Sequence, residues 1–288
     1  MTTIKAFVKS HPLLSYLALT FAISWGGINL AVGFGPGGFS ATPQQFRMTA
    51  LYAAIPAMLL GPSVAGILLT GLVDGRAGLS EFRSRLLKWQ VGVRWYAVAL
   101  LTAPLLYVAV LLALSLISPK FLPGIFTTSD KASLLLIGIV VGLIVGFFEE
   151  LGWTGFAIPR MRQRYGILST GLILGLLWGA WHYPLFSASG TPSVALGLAI
   201  VLVRLFTWLP AYRVLMVWVY DRTGSLLVAM LMHASLSASM FILAPLVTGV
   251  AIVTSVLVWA AVLWVVVGAV ALAQGGHLSR QPLRRRVA

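Results

Sequence analysis

The chain has 288 residues, 59% of them hydrophobic and 9% charged, with 20 Lys and Arg against 6 Asp and Glu. That charge density cannot cover a soluble surface, and repeated apolar runs long enough to cross a bilayer imply an all-α polytopic membrane protein. The net charge of +14 is no nucleic-acid signature, because the cations sit in short loops between apolar runs without a base-reading motif, and the absence of cysteine excludes disulfides, thiolate metal sites and a cysteine nucleophile.

Eight spans are predicted. The first runs from about Leu13 to Phe34, too long for a signal-peptide core, and ends in the loop Gly35-Pro36-Gly37-Gly38. The second covers about Thr49 to Val73 and contains Pro56 and Pro62, which predict a kink. The third covers about Trp95 to Ile117, and the fourth about Ala132 to Phe156. The fifth covers about Leu168 to Phe186, and the sixth about Val194 to Tyr220, interrupted by Pro210 and holding Arg204 and Arg213. The seventh covers about Ser225 to Leu246, and the eighth, about Val250 to Ala273, carries no charge.

Loop cations orient the spans. One set of ends carries Lys5, Lys9, Arg76, Arg83, Arg85, Lys88, Arg160, Arg162, Arg164, Arg222, Arg280, Arg284, Arg285 and Arg286, whereas the opposite loops hold Arg47, Lys120 and Lys131. Positive loops stay inside, so both termini are expected in the cytoplasm of a multi-pass cell-membrane protein. Leu79, Phe82, Leu86 and Trp89 recur at helical spacing with Arg83, Arg85 and Lys88 off that stripe. About residues 78–90 therefore read as an amphipathic helix in the cytoplasmic interface, and the basic loops and tail 277–288 as contacts for anionic lipid headgroups. The whole of 1–288 reads as one transmembrane domain.

The acidic residues are Asp74, Glu81, Asp130, Glu149, Glu150 and Asp221, and two of these stand side by side at the end of an apolar run. Carboxylates at membrane depth are costly, which makes them functional candidates. Glu149 precedes Arg160, and His233 follows Arg222, by a rise of about 16 Å each, while His182 lies about 21 Å into its span. Three segments thus put polar groups into one slab of the bilayer. A poorly solvated carboxylate suits a general base that takes a proton from water, and an imidazole can hold that water or stabilise an oxyanion. Glu150 and Thr154 share a helix face, while Glu149 points about 100° away, so the two glutamates have different tasks.

Glu149-Glu150-Leu151-Gly152-Trp153-Thr154-Gly155 with Pro159-Arg160, then Trp178-Gly179-Ala180-Trp181-His182, then Met232-His233-Ala234-Ser235-Leu236-Ser237 together resemble the three motifs of the CAAX-protease and bacteriocin-processing (CPBP) membrane family. The resemblance covers about residues 55–245, including Gly61-Pro62-Ser63 and Gly92-Val93-Arg94-Trp95. It implies eight helices around a cytosol-accessible cavity and an intramembrane endopeptidase of glutamic type. Carried over by position, Glu149 activates water, His182 holds it and His233 stabilises the oxyanion assisted by Ser237; Glu150 is counted with these catalytic candidates, its task open between structural support and direct chemistry. The implied substrate is a peptide or lipid-modified protein, without cofactor. Eukaryotic relatives remove the last three residues of prenylated proteins, and bacterial relatives include bacteriocin-processing and immunity members.

Two positions depart from the pattern. Thr154 stands where the family commonly has Arg, and Ser237 where it commonly has Asn. Arg204 or Arg213 is the expected replacement for the missing cation beside Glu150. One carboxylate and two imidazoles also match the ligand types of a zinc hydrolase, but no His-Glu-x-x-His helix accompanies them, so no metal ligand is assigned. A non-catalytic member of the same fold, in bacteriocin immunity or as a scaffold, and a proton-relaying transporter are the competing readings.

Overall fold

The computed structural model describes residues 3–34, 42, 50–186, 194–276 and 278. The loop Gly35-Pro36-Gly37-Gly38, Arg47, His277 and the tail cations Arg280, Arg284, Arg285 and Arg286 lie outside the described residues. The described elements are helical throughout, as an all-α polytopic membrane protein requires. The main helices are α1 (Thr3–Ser10), α2 (Pro12–Phe34), α3 (Ile55–Leu86), α4 (Val93–Ser115), α5 (Lys131–Gly152), α6 (Ile167–Trp181), α7 (Val194–Phe206), α8 (Leu209–Thr223), α9 (Leu226–Leu243) and α10 (Val250–Ala273).

Among the described residues, seven segments are long and apolar enough to cross a membrane: Pro12–Ala31, Tyr52–Leu86, Val93–Ser115, Lys131–Met161, Val194–Thr223, Leu226–Leu243 and Val250–Ala273. These correspond to all the expected spans except the fifth. That one, α6, is a shorter apolar helix ending at Trp181, followed by a turn of helix at Tyr183–Phe186 that holds Pro184. Within the sixth span, α7 and α8 are separate helices joined at Thr207 and Trp208, and Pro210 sits in the first turn of α8, where its missing N–H costs nothing.

The chain falls into two compact units. The first combines residues 1–87 with 148–161. Here the break expected at Pro56 or Pro62 falls instead at Gly75, whose φ of 66° and ψ of −152° are accessible essentially to glycine alone. Pro56 is harmless in the first turn of α3. Pro62 has no N–H for the Met58 carbonyl, but the Ser24 hydroxyl of α2 donates to that carbonyl at 2.7 Å, so the helix carries on. Beyond Gly75 the helix continues to Leu86, short of the expected 78–90, with Phe82 buried on its inner side.

The second unit combines residues 88–147 with 162–288. Asp130 opens α5 by accepting from the Ser133 backbone N–H at 3.0 Å. Hydrogen bonds from Ser133 hold its carboxyl below the usual aspartate value. The device seen at Pro62 recurs at Pro104 of α4, whose absent N–H leaves the Leu100 carbonyl to the Ser235 hydroxyl of α9 at 2.7 Å. Two glycine rows let backbones approach. Gly138, Gly142 and Gly146 of α5 face α9, and Gly171, Gly175 and Gly179 of α6 face α8 and the end of α7. Twelve of the fifteen residues of α8 are buried, making it the central post of this unit. The Tyr212 hydroxyl donates to the Met232 carbonyl at 2.9 Å and fixes α8 against α9. Arg162 donates to Asp221 at 2.8 Å, the pair almost wholly shielded from solvent.

Candidate active site

The two glutamates end α5 and belong to the first unit. Glu149 is 2% exposed and Glu150 is fully buried, so neither carboxylate stands in bulk solvent. Immediately afterwards the helix widens into a π turn over Trp153–Ala157, every residue of which is buried. Such turns occur often at functional sites. The hydroxyl of Thr154 donates to Oε2 of Glu150. The family's usual arginine position is thus occupied by a neutral donor that reaches the same carboxylate.

The π turn is clasped by three neighbours. Gly152 lies against the Pro62 carbonyl and the Tyr16 hydroxyl, where a β-carbon would find no room. The Tyr16 ring stacks on Phe156 with centres 5.1 Å apart and meets Trp153 edge-on at 5.7 Å. From the helix beyond Gly75, the Phe82 ring rests on Gly155, and Arg85 Nη1 donates to the Gly155 carbonyl at 3.1 Å. Arg160 covers the face of Phe156 at 3.5 Å and pairs with the Asp74 carboxylate. The segment read as a surface helix therefore also supports the carboxylate turn.

The two histidines belong to the second unit. His182 caps the end of α6, with Nδ1 2.9 Å from the Trp178 carbonyl. It therefore stands at a helix end rather than inside a continuous span. His233 is buried in α9, and Ser237 follows one turn later, half-buried. Trp178 brings the imidazoles together: its ring centre is 5.4 Å from His182 and 5.0 Å from His233, both edge to face. Trp181 also meets His182 edge to face, with ring centres 4.7 Å apart. The guanidinium of Arg213, itself fully buried, lies 4.1 Å over the Trp178 ring. Arg204 is half-buried on α7.

Among the described residues no cluster of three or more His, Asp or Glu side chains is close enough to hold a metal ion. A cleft of about 350 Å³ lies between α4, α5 and α9, walled by Leu100, Pro104, Leu135, Ile139, Leu143 and Ile242 with their neighbours. Its lining contains none of the five candidate residues. What sequence reasoning missed is the support: Tyr16, Tyr212 and the glycine rows. The rows were visible as glycines four apart at 138, 142 and 146 and again at 171, 175 and 179.

Residues 131–239 match the family model described as type II CAAX prenyl endopeptidase Rce1-like. Over 43 residues the chain is 40% identical to CAAX prenyl protease 2 of Methanococcus maripaludis, a stretch amounting to 15% of this chain and 16% of that protein. Glu149, Glu150, His182, His233 and Ser237 all fall inside the 131–239 match.

Proposed function

The chain belongs, through residues 131–239, to the Rce1-like CAAX endopeptidase (CPBP) family, and on that premise we propose that it is an intramembrane endopeptidase. It hydrolyses a peptide bond near the carboxyl terminus of a membrane-associated, prenylated or otherwise lipid-modified polypeptide. Glu149 takes a proton from a water that His182 holds. The resulting hydroxide adds to the scissile carbonyl, and His233 with Ser237 donates to the oxyanion. Collapse of the tetrahedral species breaks the C–N bond, and the leaving amine takes the proton back from Glu149. Glu150, bonded to Thr154, orients the turn that carries Glu149.

The observation that carries this reading is the pairing of His182 and His233 on one tryptophan in the second unit, the glutamates of the first unit being likewise shielded from solvent. The chain is oriented with both termini in the cytoplasm, supported by the lysines and arginines of alternate loops, and the basic loops meet anionic headgroups.

The test is release of a carboxyl-terminal tripeptide from a farnesylated peptide by the purified protein in lipid nanodiscs, followed by mass spectrometry. Glu149→Gln is expected to slow release at least about 10²-fold without loss of fold. Equal cleavage by wild type and Glu149→Gln overturns the mechanism. The neutral hydroxyl of Thr154 beside Glu150 favours one second reading, a non-catalytic member of the fold. Peptide binding without cleavage by wild type identifies that case. Repeating the assay after chelation decides metal dependence.

A further inference from the structure

Arg213 has no part in the reaction above, yet it lies beneath the histidine pair. It is fully buried in α8, and burying a guanidinium in a membrane protein is costly enough to demand a reason. Its planar face covers the Trp178 ring at 4.1 Å. Trp178 in turn touches both His182 and His233 and offers its own carbonyl to His182 Nδ1. The backbone around Arg213 is fixed on two sides. The adjacent Tyr212 is bonded to Met232, next to His233. Gly171 of α6 lies so close to Val214 that a β-carbon would come within 2.5 Å of its α-carbon. The arginine is therefore delivered to the indole face by contacts that leave its helix little freedom.

We infer that Arg213 is a positioning residue for both histidines, acting through Trp178. The flat, weakly hydrated guanidinium stacks plane to plane on the indole face, whereas a compact lysine ammonium offers only a point charge there. Losing that stacked plane frees the indole to rotate, and both imidazoles move with it. This rests on the peptidase reading for its kinetic arm but not for its spectroscopic one.

Protein carrying [13C]-histidine in nanodiscs gives resonances from His11, His182, His233 and His277, assigned by single His→Gln substitutions. Trp178→Leu removes the ring current and identifies the two that feel it. Arg213→Lys is expected to shift those same two. If Arg213→Lys does not fold, Arg213→Gln, which keeps a planar polar end without the charge, supplies the same comparison. On the farnesylated peptide, Arg213→Lys is expected to lower kcat on the order of 10²-fold, as for a slight misplacement of reacting groups, with KM little changed. In the Trp178→Leu background the same substitution is expected to have almost no further effect. Unmoved His182 and His233 resonances overturn the inference whether or not peptide is cleaved. A raised KM with unchanged kcat overturns it too, assigning Arg213 to the peptide instead. If wild type cleaves nothing but the two resonances shift, the positioning role stands and the peptidase reading falls.

Discussion

Gly146 lies against the backbone of Ala234: a β-carbon there would stand 2.7 Å from the Ala234 nitrogen and 2.6 Å from the Met230 carbonyl oxygen. Gly146 precedes Glu149 by one helical turn of α5, and Ala234 follows His233 in α9. Within the second unit, α5 and the helix that carries His233 are thus in backbone contact at Gly146. Gly146→Ala is expected to destabilise by about 1–3 kcal/mol, because the neighbour to be displaced is main chain rather than a flexible side chain. The measurement is thermal unfolding in detergent together with peptide release, which should fall with it. Gly268 of α10 has nothing within 4 Å of an added β-carbon. Gly268→Ala is expected to be neutral or slightly stabilising, which controls for helix propensity.

The Ser24 hydroxyl replaces the N–H that Pro62 lacks, at a Met58 residue buried to 1% exposure. Ser24→Ala is expected to cost about 1–3 kcal/mol by leaving that carbonyl short of a donor. In a Pro62→Ala background the helix restores its own bond, so the same change should cost much less. A double-mutant cycle on melting temperature reads the coupling. Additive effects would show that Ser24 and Pro62 are unrelated.

Thr154→Val keeps the shape of Thr154 and removes the hydroxyl that reaches Glu150. Loss of a donor to a buried carboxylate is expected to cost about 1–3 kcal/mol, and peptide release should slow along with it. Thr154→Ser should retain both. If valine and serine behave alike, the hydroxyl is not what holds Glu150.

The Arg162–Asp221 pair ties the start of the second unit's later chain to the end of α8, with side chains 3% and 16% exposed. Asp221→Ala leaves a buried guanidinium with one partner fewer and is expected to lose up to about 3 kcal/mol. The melting temperature should fall at low and high salt alike, since a shielded pair is little screened.

The Asp130 carboxyl lies below the usual aspartate value because it accepts from Ser133. With the folded value depressed, its contribution to stability is present at neutral pH and fades as pH falls through that lowered value. Asp130→Asn keeps an acceptor that does not titrate. The difference in melting temperature between wild type and Asp130→Asn should therefore change in acid and stay constant above neutrality.

How much of this was legible depends on which physical signal each feature leaves. Length and apolarity mark spans directly, so α2, α4 and α10 fall within a few residues of the expected ends. The fifth span was read as continuous through His182 because periodicity cannot see a helix end. The chain stops being helical at Trp181, with Pro184 just beyond. Prolines 56 and 62 predicted a kink, but a hydroxyl from another helix repaired the second of them, and such partners are invisible along one segment. Glu149, Glu150, His182 and His233 stood out because ionisable groups in apolar runs are rare. The contact of Trp178 with both histidines could not be deduced from spacing, since His233 lies on a helix remote in sequence.

Gly75 has a last bearing on the carboxylate turn. From Ile55 to Asp74 the helix rises about 30 Å, the full depth of the hydrocarbon. Continued straight, it would lift Phe82 roughly 12 Å further out, standing bare in water. The single backbone bend at Gly75 folds that ring back onto Gly155 instead. One backbone conformation, open essentially to an achiral residue alone, decides whether the π segment has a floor.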